Sequence, residues 1–512
     1  MNKAFVSIIL SLFLTASGFS QQLLGTCGSS LEDNLLIKQR MLENRAEWQG
    51  KLIQRGGAPS YVPVRYWLVA RADGTGRLPF KNVIDNLCAL NKIYASLNMV
   101  FYLKETVNWD NQFVFDDPTS TLGQAYINQK MQTNKNAINI FTANVANASD
   151  LGVLAFYRPQ GDYVVSNKLY VSSNGTTLAH ELGHYFSLAH TFVGWENDKY
   201  DELTMSCSKP TPILIGGGFL VEYVDRNKPG TNPSKKNCQE AADGFCDTPA
   251  DYNLGLGFQG PGCVYTGCAK DPDNVKLDPD ELNLMSYFLN CIKQFSTEQG
   301  DAIVKDYVSS GRNYLRNPVY IPKPEITDQV NYNYPNANTA PLGYDTVYFD
   351  WDDVPNADRY IFEIAENTGF NINAKVFVLN HSDTVLTNLK KSKSHYWRVT
   401  PFNQNSFCVV PKAVAFVTPS WTVASDNLEI EGVRSFVAQI NEEHPNLIIQ
   451  SNQSQIISLQ IIDANGKIVE FKKLSIVNGE NNIPLPKLNP GFHLYRILDK
   501  MQRSNSGKFI IQ

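Results

Sequence analysis

The sequence predicts an α+β domain (a mixed sheet plus helices) followed by two all-β sandwich domains. Three observations predict it. Helical spacing of apolar residues alternates with β-branched runs up to about residue 188. A Pro-rich linker (Pro318, Pro322, Pro324) then follows Asn317. Beyond it come only short alternating segments separated by turn residues. At about 150 residues per domain, 512 residues hold three or four units. With 45 Lys plus Arg against 50 Asp plus Glu, the net charge is −5 and no block of one sign stands out. That excludes a nucleic-acid surface or an anionic-membrane binder. Apolar residues at 43% and charged residues at 19%, with 24 Tyr and 27 Phe, exclude intrinsic disorder as the main state.

Element by element, Leu31 to Leu52 is helical, with Leu35, Leu36, Met41 and Leu42 on one apolar face, and Gly56-Gly57-Ala58-Pro59 ends it. Tyr61 to Ala70 alternates and is a strand, and Phe80 to Leu97 returns to helical spacing at Val83, Ile84, Leu87, Leu90, Ile93, Tyr94 and Leu97. Strands are expected at Met99–Leu103, Ala137–Phe141 and Lys168–Val171, and a helix at Leu178–Leu188. Cys207 to Pro279, rich in Gly, Pro, Asn and Cys, reads as loop. In the C-terminal region Val347–Trp351, Arg359–Ala365 and His395–Thr400 alternate, and Asn465-Gly466 joins two further strands, Ile456–Asp463 and Lys467–Phe471. Asn-Gly between alternating runs is a strong hairpin signal.

The first twenty residues read as a secretory signal peptide. Lys3 precedes an apolar run from Phe5 to Leu14, small residues surround Ser20, and the run is too short to span a bilayer. No other segment approaches a membrane span. Export permits disulfides among the nine cysteines.

The chemistry lies in His180-Glu181-Leu182-Gly183-His184-Tyr185-Phe186-Ser187-Leu188-Ala189-His190. His180 and His184 at i and i+4 share a helix face and can converge on one Zn²⁺ at about 2.0–2.1 Å. Glu181 stands beside the first ligand, where a metal-bound water would sit. His190 requires the helix to stop so that the chain brings a third imidazole beneath the metal. Three protein ligands leave a position open, the mark of a catalytic zinc site.

This pattern resembles the metzincin metalloproteases, whose signature H-E-x-x-H-x-x-G-x-x-H is followed later by a Met-turn, present here as Asn283-Leu284-Met285-Ser286-Tyr287. The resemblance implies that Met285 forms an apolar floor under the metal and that Tyr287 hydrogen-bonds the oxyanion of the reaction. The signature glycine is Ser187 here, and a serine with positive φ costs roughly 1 kcal/mol relative to glycine. With His190-Thr191-Phe192, Asp243-Gly244-Phe245-Cys246-Asp247-Thr248-Pro249, Cys291 and Phe295-Ser296, residues 60–310 resemble the pappalysin (cytophagalysin) family. That resemblance implies an upper lobe with a mixed sheet and two helices over an irregular lower lobe. It implies a calcium site near Asp243, Asp247 and Thr248, though surface-loop carboxylates read the same way. Among Cys207, Cys238, Cys246, Cys263, Cys268 and Cys291 it implies the pairs Cys238–Cys263 and Cys268–Cys291, leaving Cys207 with Cys246. Cys88 reads as a buried thiol and Cys408 as a free one. Cys27, in Gly25-Thr26-Cys27-Gly28, is either a terminal thiol or a latency ligand that displaces the catalytic water. Arg40, Arg45 and Arg55 are candidate release sites.

Residues 322–420 resemble a fibronectin type III domain through Trp351-Asp352-Asp353-Val354-Pro355, Tyr360 and Tyr396-Trp397-Arg398-Val399. Residues 430–512 resemble the C-terminal sorting domain of the type IX secretion system through Leu459–Asp463, Asn465-Gly466-Lys467, Leu488–Gly491, Tyr495 and Lys508-Phe509-Ile510-Ile511. The expected organisation is a signal peptide (1–20), a pro-segment (21–58), a zinc protease domain (59–316) and the two sandwiches. The expected function is a latent, exported zinc endopeptidase acting on protein or peptide substrates, with Glu181 as general base for a zinc-bound water. The alternative is a surface-binding or adhesion protein that uses its sandwich modules. Three of the seven histidines serve the metal; His381, His395, His444 and His493 fall in the accessory modules.

Overall fold

A computed structural model describes residues 25–51, 57–196, 200, 210–258, 261–289, 291–337, 341, 343–420, 430–438, 445–464, 466–500 and 503–511. The leader, Arg55, Cys207, His444 and Asn465 lie outside the described residues. The chain divides into two compact units, 1–322 and 323–512.

The first unit is built on a six-stranded sheet of β1 (Thr26–Cys27), β2 (Ser60–Ala70), β3 (Met99–Asp110), β4 (Ile138–Ala143), β5 (Val153–Arg158) and β6 (Tyr163–Asn167). Its order is β1-β5-β6-β4-β2-β3, parallel throughout except for the antiparallel β5–β6 pair. Its helices in chain order are α1 (Leu31–Glu47), α2 (Phe80–Ile93), α3 (Gln112–Asp116), α4 (Thr121–Met131), α5 (Thr176–Tyr185), α6 (Asn237–Glu240), α7 (Thr297–Val308) and α8 (Asn313–Arg316). The fold is therefore mixed α/β here. Trp67, Val69, Phe115, Ile127, Phe141, Tyr163 and Val165 form one core against the sheet. From residue 210 to 289 regular structure is sparse: a hairpin of β7 (Leu214–Ile215) and β8 (Phe219–Leu220), and α6. Tyr252 and Phe288 of that irregular part form an aromatic core with Phe192, Trp195 and Tyr200.

Two expectations change. The segment 168–170 is a 3₁₀ turn, not a strand; the strand is β6 just before it, and the Asn167 side chain accepts from Leu169 N at 3.0 Å to start the turn. On α1 three of the four residues of the expected apolar face point outward, and only Met41 turns inward. Leu35, Leu36 and Leu42 are exposed, while Asp33, Asn34, Ile37, Met41 and Asn44 are buried. The helix docks through a mostly polar face, and Ser30 with Asp33 forms its capping box.

The second unit is all-β. In chain order its strands are β9 (Tyr332–Tyr334), β10 (Thr346–Trp351), β11 (Arg359–Ala365), β12 (Lys375–Leu379), β13 (Asp383–Thr387), β14 (Ser394–Phe402), β15 (Val414–Val417), β16 (Val433–Ala438), β17 (Asn446–Ser451), β18 (Gln455–Asp463), β19 (Ile468–Ile476), β20 (Gly479–Pro484), β21 (Gly491–Asp499) and β22 (Ser504–Ile511). Sheets β13-β10-β9 and β12-β11-β14-β15 enclose Phe349, Trp351, Phe362 and Trp397. Sheets β16-β17-β20 and β19-β18-β21-β22 enclose Leu447, Ile449, Leu459, Ile461, Tyr495 and Ile497. Among the described residues no helix is long and apolar enough to cross a membrane.

Candidate metal centre

Helix α5 stops at Tyr185, three residues before the sequence expectation, and the stop is what gathers the histidines. Ser187 N bonds His184 O at 3.0 Å and Leu188 N bonds Gly183 O at 2.9 Å, the two hydrogen bonds of a Schellman C-cap. Ser187 fills the left-handed position at φ 69°, where glycine is usual. The reversed chain carries His190 back to the helix face. Its Nε2 lies 3.3 Å from Nε2 of His180 and 3.2 Å from Nε2 of His184.

Protonation follows from the partners. Nδ1 of His180 lies 2.6 Å from Leu284 O and Nδ1 of His184 lies 2.7 Å from Leu188 O. A carbonyl only accepts, so each Nδ1 carries the proton and each Nε2 presents a lone pair to the cluster. Burial reinforces neutrality: it pushes His180 down to about 4 and His184 and His190 well below the usual histidine range. Buried lone pairs converging in this way fit a cation. Tetrahedral zinc with Zn–N bonds of about 2.0–2.1 Å spaces its nitrogens about 3.3–3.4 Å apart, and a thiolate about 3.6 Å from each nitrogen. Cys27 Sγ is 3.5 Å from His184 Nε2. The ligand atoms of Cys27, His180, His184 and His190 all lie within 4.8 Å of one another, a group of metal-binding composition. The donor set fits zinc.

Cys27 reaches the cluster on a backbone ladder. Thr26 N bonds Gly152 O and Gly28 N bonds Ala155 O, each at 2.8 Å, so β1 extends the sheet along the edge of β5. The thiol donates toward Oε2 of Glu181 at 3.6 Å, and Tyr287 OH donates to the Cys27 carbonyl at 3.1 Å. Burial raises Glu181 to about 8 and pushes the Cys27 thiol up as well. Met285 is fully buried beneath α5, and a Cβ on Gly183 would meet its Sδ at 2.4 Å. Close approach of this methionine therefore requires glycine in the active helix.

Sequence reasoning missed several residues around this cluster. Asn34 Oδ1 on α1 accepts from His190 N at 3.0 Å. Glu196 Oε1 lies 3.7 Å from His190 Nδ1, and neither atom has a hydrogen-bond partner. Ser187 Oγ donates to Asp306 Oδ1 at 2.5 Å, and Asn44 Nδ2 donates to the same oxygen at 2.8 Å. Hydrogen bonds to charged groups are worth about 1.5–3 kcal/mol, enough to offset the strain at Ser187. Arg312 Nε bonds Asp306 Oδ2 at 2.8 Å, its Nη1 bonds Asp162 at 2.6 Å, and its Nη2 caps α5 at Tyr185 O.

Of the calcium candidates, Asp243 and Thr248 come together, Thr248 Oγ1 donating to Asp243 Oδ1 at 3.1 Å. Asp247 is spent elsewhere: it accepts from Ser296 Oγ at 2.8 Å and Glu298 N at 2.7 Å at the start of α7. Buried Glu222 and Asp243 each keep one carboxylate oxygen without a hydrogen-bond partner, and burial holds both carboxyls above their usual range. The ammonium of Lys38 on α1 feels both carboxylates and donates to the carbonyls of Glu240, Ala241 and Ala242 at 2.8, 3.2 and 2.7 Å.

The disulfides differ from those the resemblance implied. Cys238 pairs with Cys246, eight residues on, and Cys263 with Cys291. Short loop closure brings Cys238 and Cys246 to a Cα separation of 5.1 Å, which takes Cys246 from Cys207 and Cys238 from Cys263. Cys268 is disulfide-bonded, though not to Cys291. Cys88 and Cys408 are disulfide-bonded too, not the free thiols expected. Cys27 is the free cysteine among the described residues. Arg40 bonds Tyr157 OH at 2.8 Å and Arg45 bonds Gly244 O at 2.8 Å over the ring of Phe245, so both candidate release sites are engaged in the fold.

Comparison with known proteins adds one assignment. Residues 443–512 match the model of a secretion system C-terminal sorting domain. That domain marks the protein for export, to the cell surface or beyond, and for engagement with a secretion machinery. Among solved structures, a mutant of promirolysin from Tannerella forsythia is similar over 57% of this chain and 96% of its own, at 16% identity and a TM-score of 0.35. The FN1-FN3 domains of chicken CNTN1 are similar over 37% of this chain and 65% of theirs, at 9% identity and a TM-score of 0.16. A search among curated proteins finds no match.

Proposed function

We propose that the chain is an exported zinc endopeptidase of metzincin type, made as a latent precursor. The observation that carries this reading is the convergence of three Nε2 atoms, His180, His184 and His190, on one point, those of His180 and His184 left unprotonated by their Nδ1 contacts to backbone carbonyls. Bound there, zinc would supply Lewis acidity to the reacting carbonyl and to water. Glu181, held beside the cluster, takes the proton of the attacking water and returns it to the leaving amine. The Tyr287 hydroxyl, which here donates to the backbone carbonyl of Cys27, donates in the same way to a substrate carbonyl oxygen as negative charge develops on it. Met285 fixes the height of the cluster from below.

Latency follows from the position of Cys27. Its thiol, 3.5 Å from His184 Nε2, would take the fourth corner, and β1 fills the edge of β5 that an extended substrate would need. Helix α1 holds it there through Asn34, Lys38, Asn44 and Arg45. We assign residues 21–58 as the pro-segment, 59–316 as the protease domain and 322–420 as a fibronectin type III-like spacer. Calcium is assigned to the pocket of Asp243 and Thr248, with Glu222 as a further oxygen ligand.

The test is digestion of casein by protein freed of residues 21–58, with and without a chelator. Cleavage that the chelator abolishes and zinc restores supports the reading. Zinc uptake without cleavage would instead favour a binding role for the sandwich modules.

A further inference from the structure

Ser187 is the point at which this chain departs from the glycine its metal-binding pattern calls for, and the fold answers that departure locally. A side chain at φ 69° is strained, yet the third histidine depends on the reversal made there. The serine hydroxyl donates to Oδ1 of Asp306 at 2.5 Å, and both residues are about 1% exposed. Asp306 is itself fixed: Arg312 Nε holds its other oxygen at 2.8 Å. Arg312 in turn bonds the carbonyl of Tyr185, the last residue of α5. One chain of contacts therefore ties the end of the helix bearing His180 and His184 to the turn that delivers His190.

We propose that Asp306 is a positioning residue for the metal centre, which holds Ser187 in the left-handed conformation and so aims His190 at the other two ligands. The inference rests on the zinc reading above. Asp306 touches neither metal nor substrate, and the route from it to His190 runs through Ser187. Asn44 of α1 donates to the same oxygen, at 2.8 Å, and its amide also lies 3.4 Å from the serine hydroxyl. The N-terminal helix thus contacts the aiming device as well as the ligand cluster.

The experiment compares two substitutions that both remove the hydroxyl. Ser187→Ala keeps a Cβ in the strained conformation without its restraint, whereas Ser187→Gly removes the strain together with the restraint. Zinc affinity of the full chain is measured by competition with a chromophoric chelator, and melting of the metal-free variants reports folding. Outer partners of metal ligands typically carry about 10–100-fold of affinity, so Ser187→Ala should weaken zinc binding at least about ten-fold while Ser187→Gly stays close to wild type. Asp306→Ala, made in the wild-type and in the Ser187→Gly backgrounds, decides the matter if the alanine variant does not fold. Its affinity loss should be large in the first background and small in the second. Equal losses for alanine and glycine at 187, or an Asp306→Ala loss independent of residue 187, overturn the positioning role while zinc binding by the wild type stands. A wild-type chain that takes up no zinc overturns both the zinc reading and this one.

Discussion

Cys27 Sγ stands 3.5 Å from Nε2 of His184 and 3.6 Å from Oε2 of Glu181, between a proposed metal ligand and the base proposed to activate water. On the proposed reading, one atom blocks two functions. Replacing Cys27 with Ser keeps the size of the side chain and removes the soft ligand. The uncleaved Cys27→Ser chain is expected to digest casein at a rate approaching that of the processed enzyme, while the uncleaved wild type stays silent. Precursor activity and latency unchanged by the substitution would remove the thiol from the account.

Gly183 and Met285 make a second prediction. Gly183→Ala forces a Cβ against a fully buried sulfur, and overpacking of this kind costs about 1–3 kcal/mol. The melting temperature of the metal-free protein should fall. Met285→Ala opens the space the new methyl needs, so the double variant should melt higher than the sum of the single losses predicts. Strict additivity would show that the two side chains do not meet.

The Asp162–Arg312 pair predicts a pH dependence. Burial alone would raise Asp162, but the Arg312 guanidinium and the hydrogen bonds from Tyr314 and Arg312 hold it below its usual value. A depressed folded pKa means that the unfolded chain binds the proton more readily. The contribution to stability is therefore complete above about pH 4, the unfolded aspartate value, and is lost as pH falls through the folded value. Chemical denaturation from pH 7 down to pH 2 should show Asp162→Asn losing less stability with acidification than wild type. Parallel curves would contradict the assignment.

Lys38 predicts how calcium and α1 compete. Its ammonium already sits on the carbonyls of residues 240–242 beside Asp243 and Glu222. Calcium should raise the melting temperature of protein freed of residues 21–58 and raise that of the full chain less. Asp243→Asn should abolish the calcium effect. An equal rise in both forms would separate the calcium site from Lys38.

The local parts of this molecule were legible in its sequence, and the long-range parts were not. His180 and His184 share a face because of the helical repeat, and α2, β2, β10 and β11 follow from apolar spacing within a few residues. Strand β6 escaped because it is buried on both faces, between β4 and β5, and so lacks the alternation that marks an exposed strand. On α1 the leucine spacing pointed to the wrong face, since the helix docks by Asn34, Lys38 and Asn44, residues that look like ordinary solvated ones. Disulfide pairing depends on how loops close, and six cysteines permit fifteen pairings. Asp306 stands 119 residues from Ser187, and no periodicity could join them. A serine in a glycine position was the one signal, and it pointed to a need for compensation without naming the residue that meets it.

Peptide-bond hydrolysis at a zinc site, with Glu181 as base, is tested most directly on the processed protein and its Glu181→Gln variant. Zinc per chain is determined in both, and cleavage of a peptide library is followed in the same samples. One zinc is expected in each, with cleavage by the wild type alone. A glutamine variant that cuts at the wild-type rate, or a wild type that cuts without zinc, would contradict the proposed chemistry.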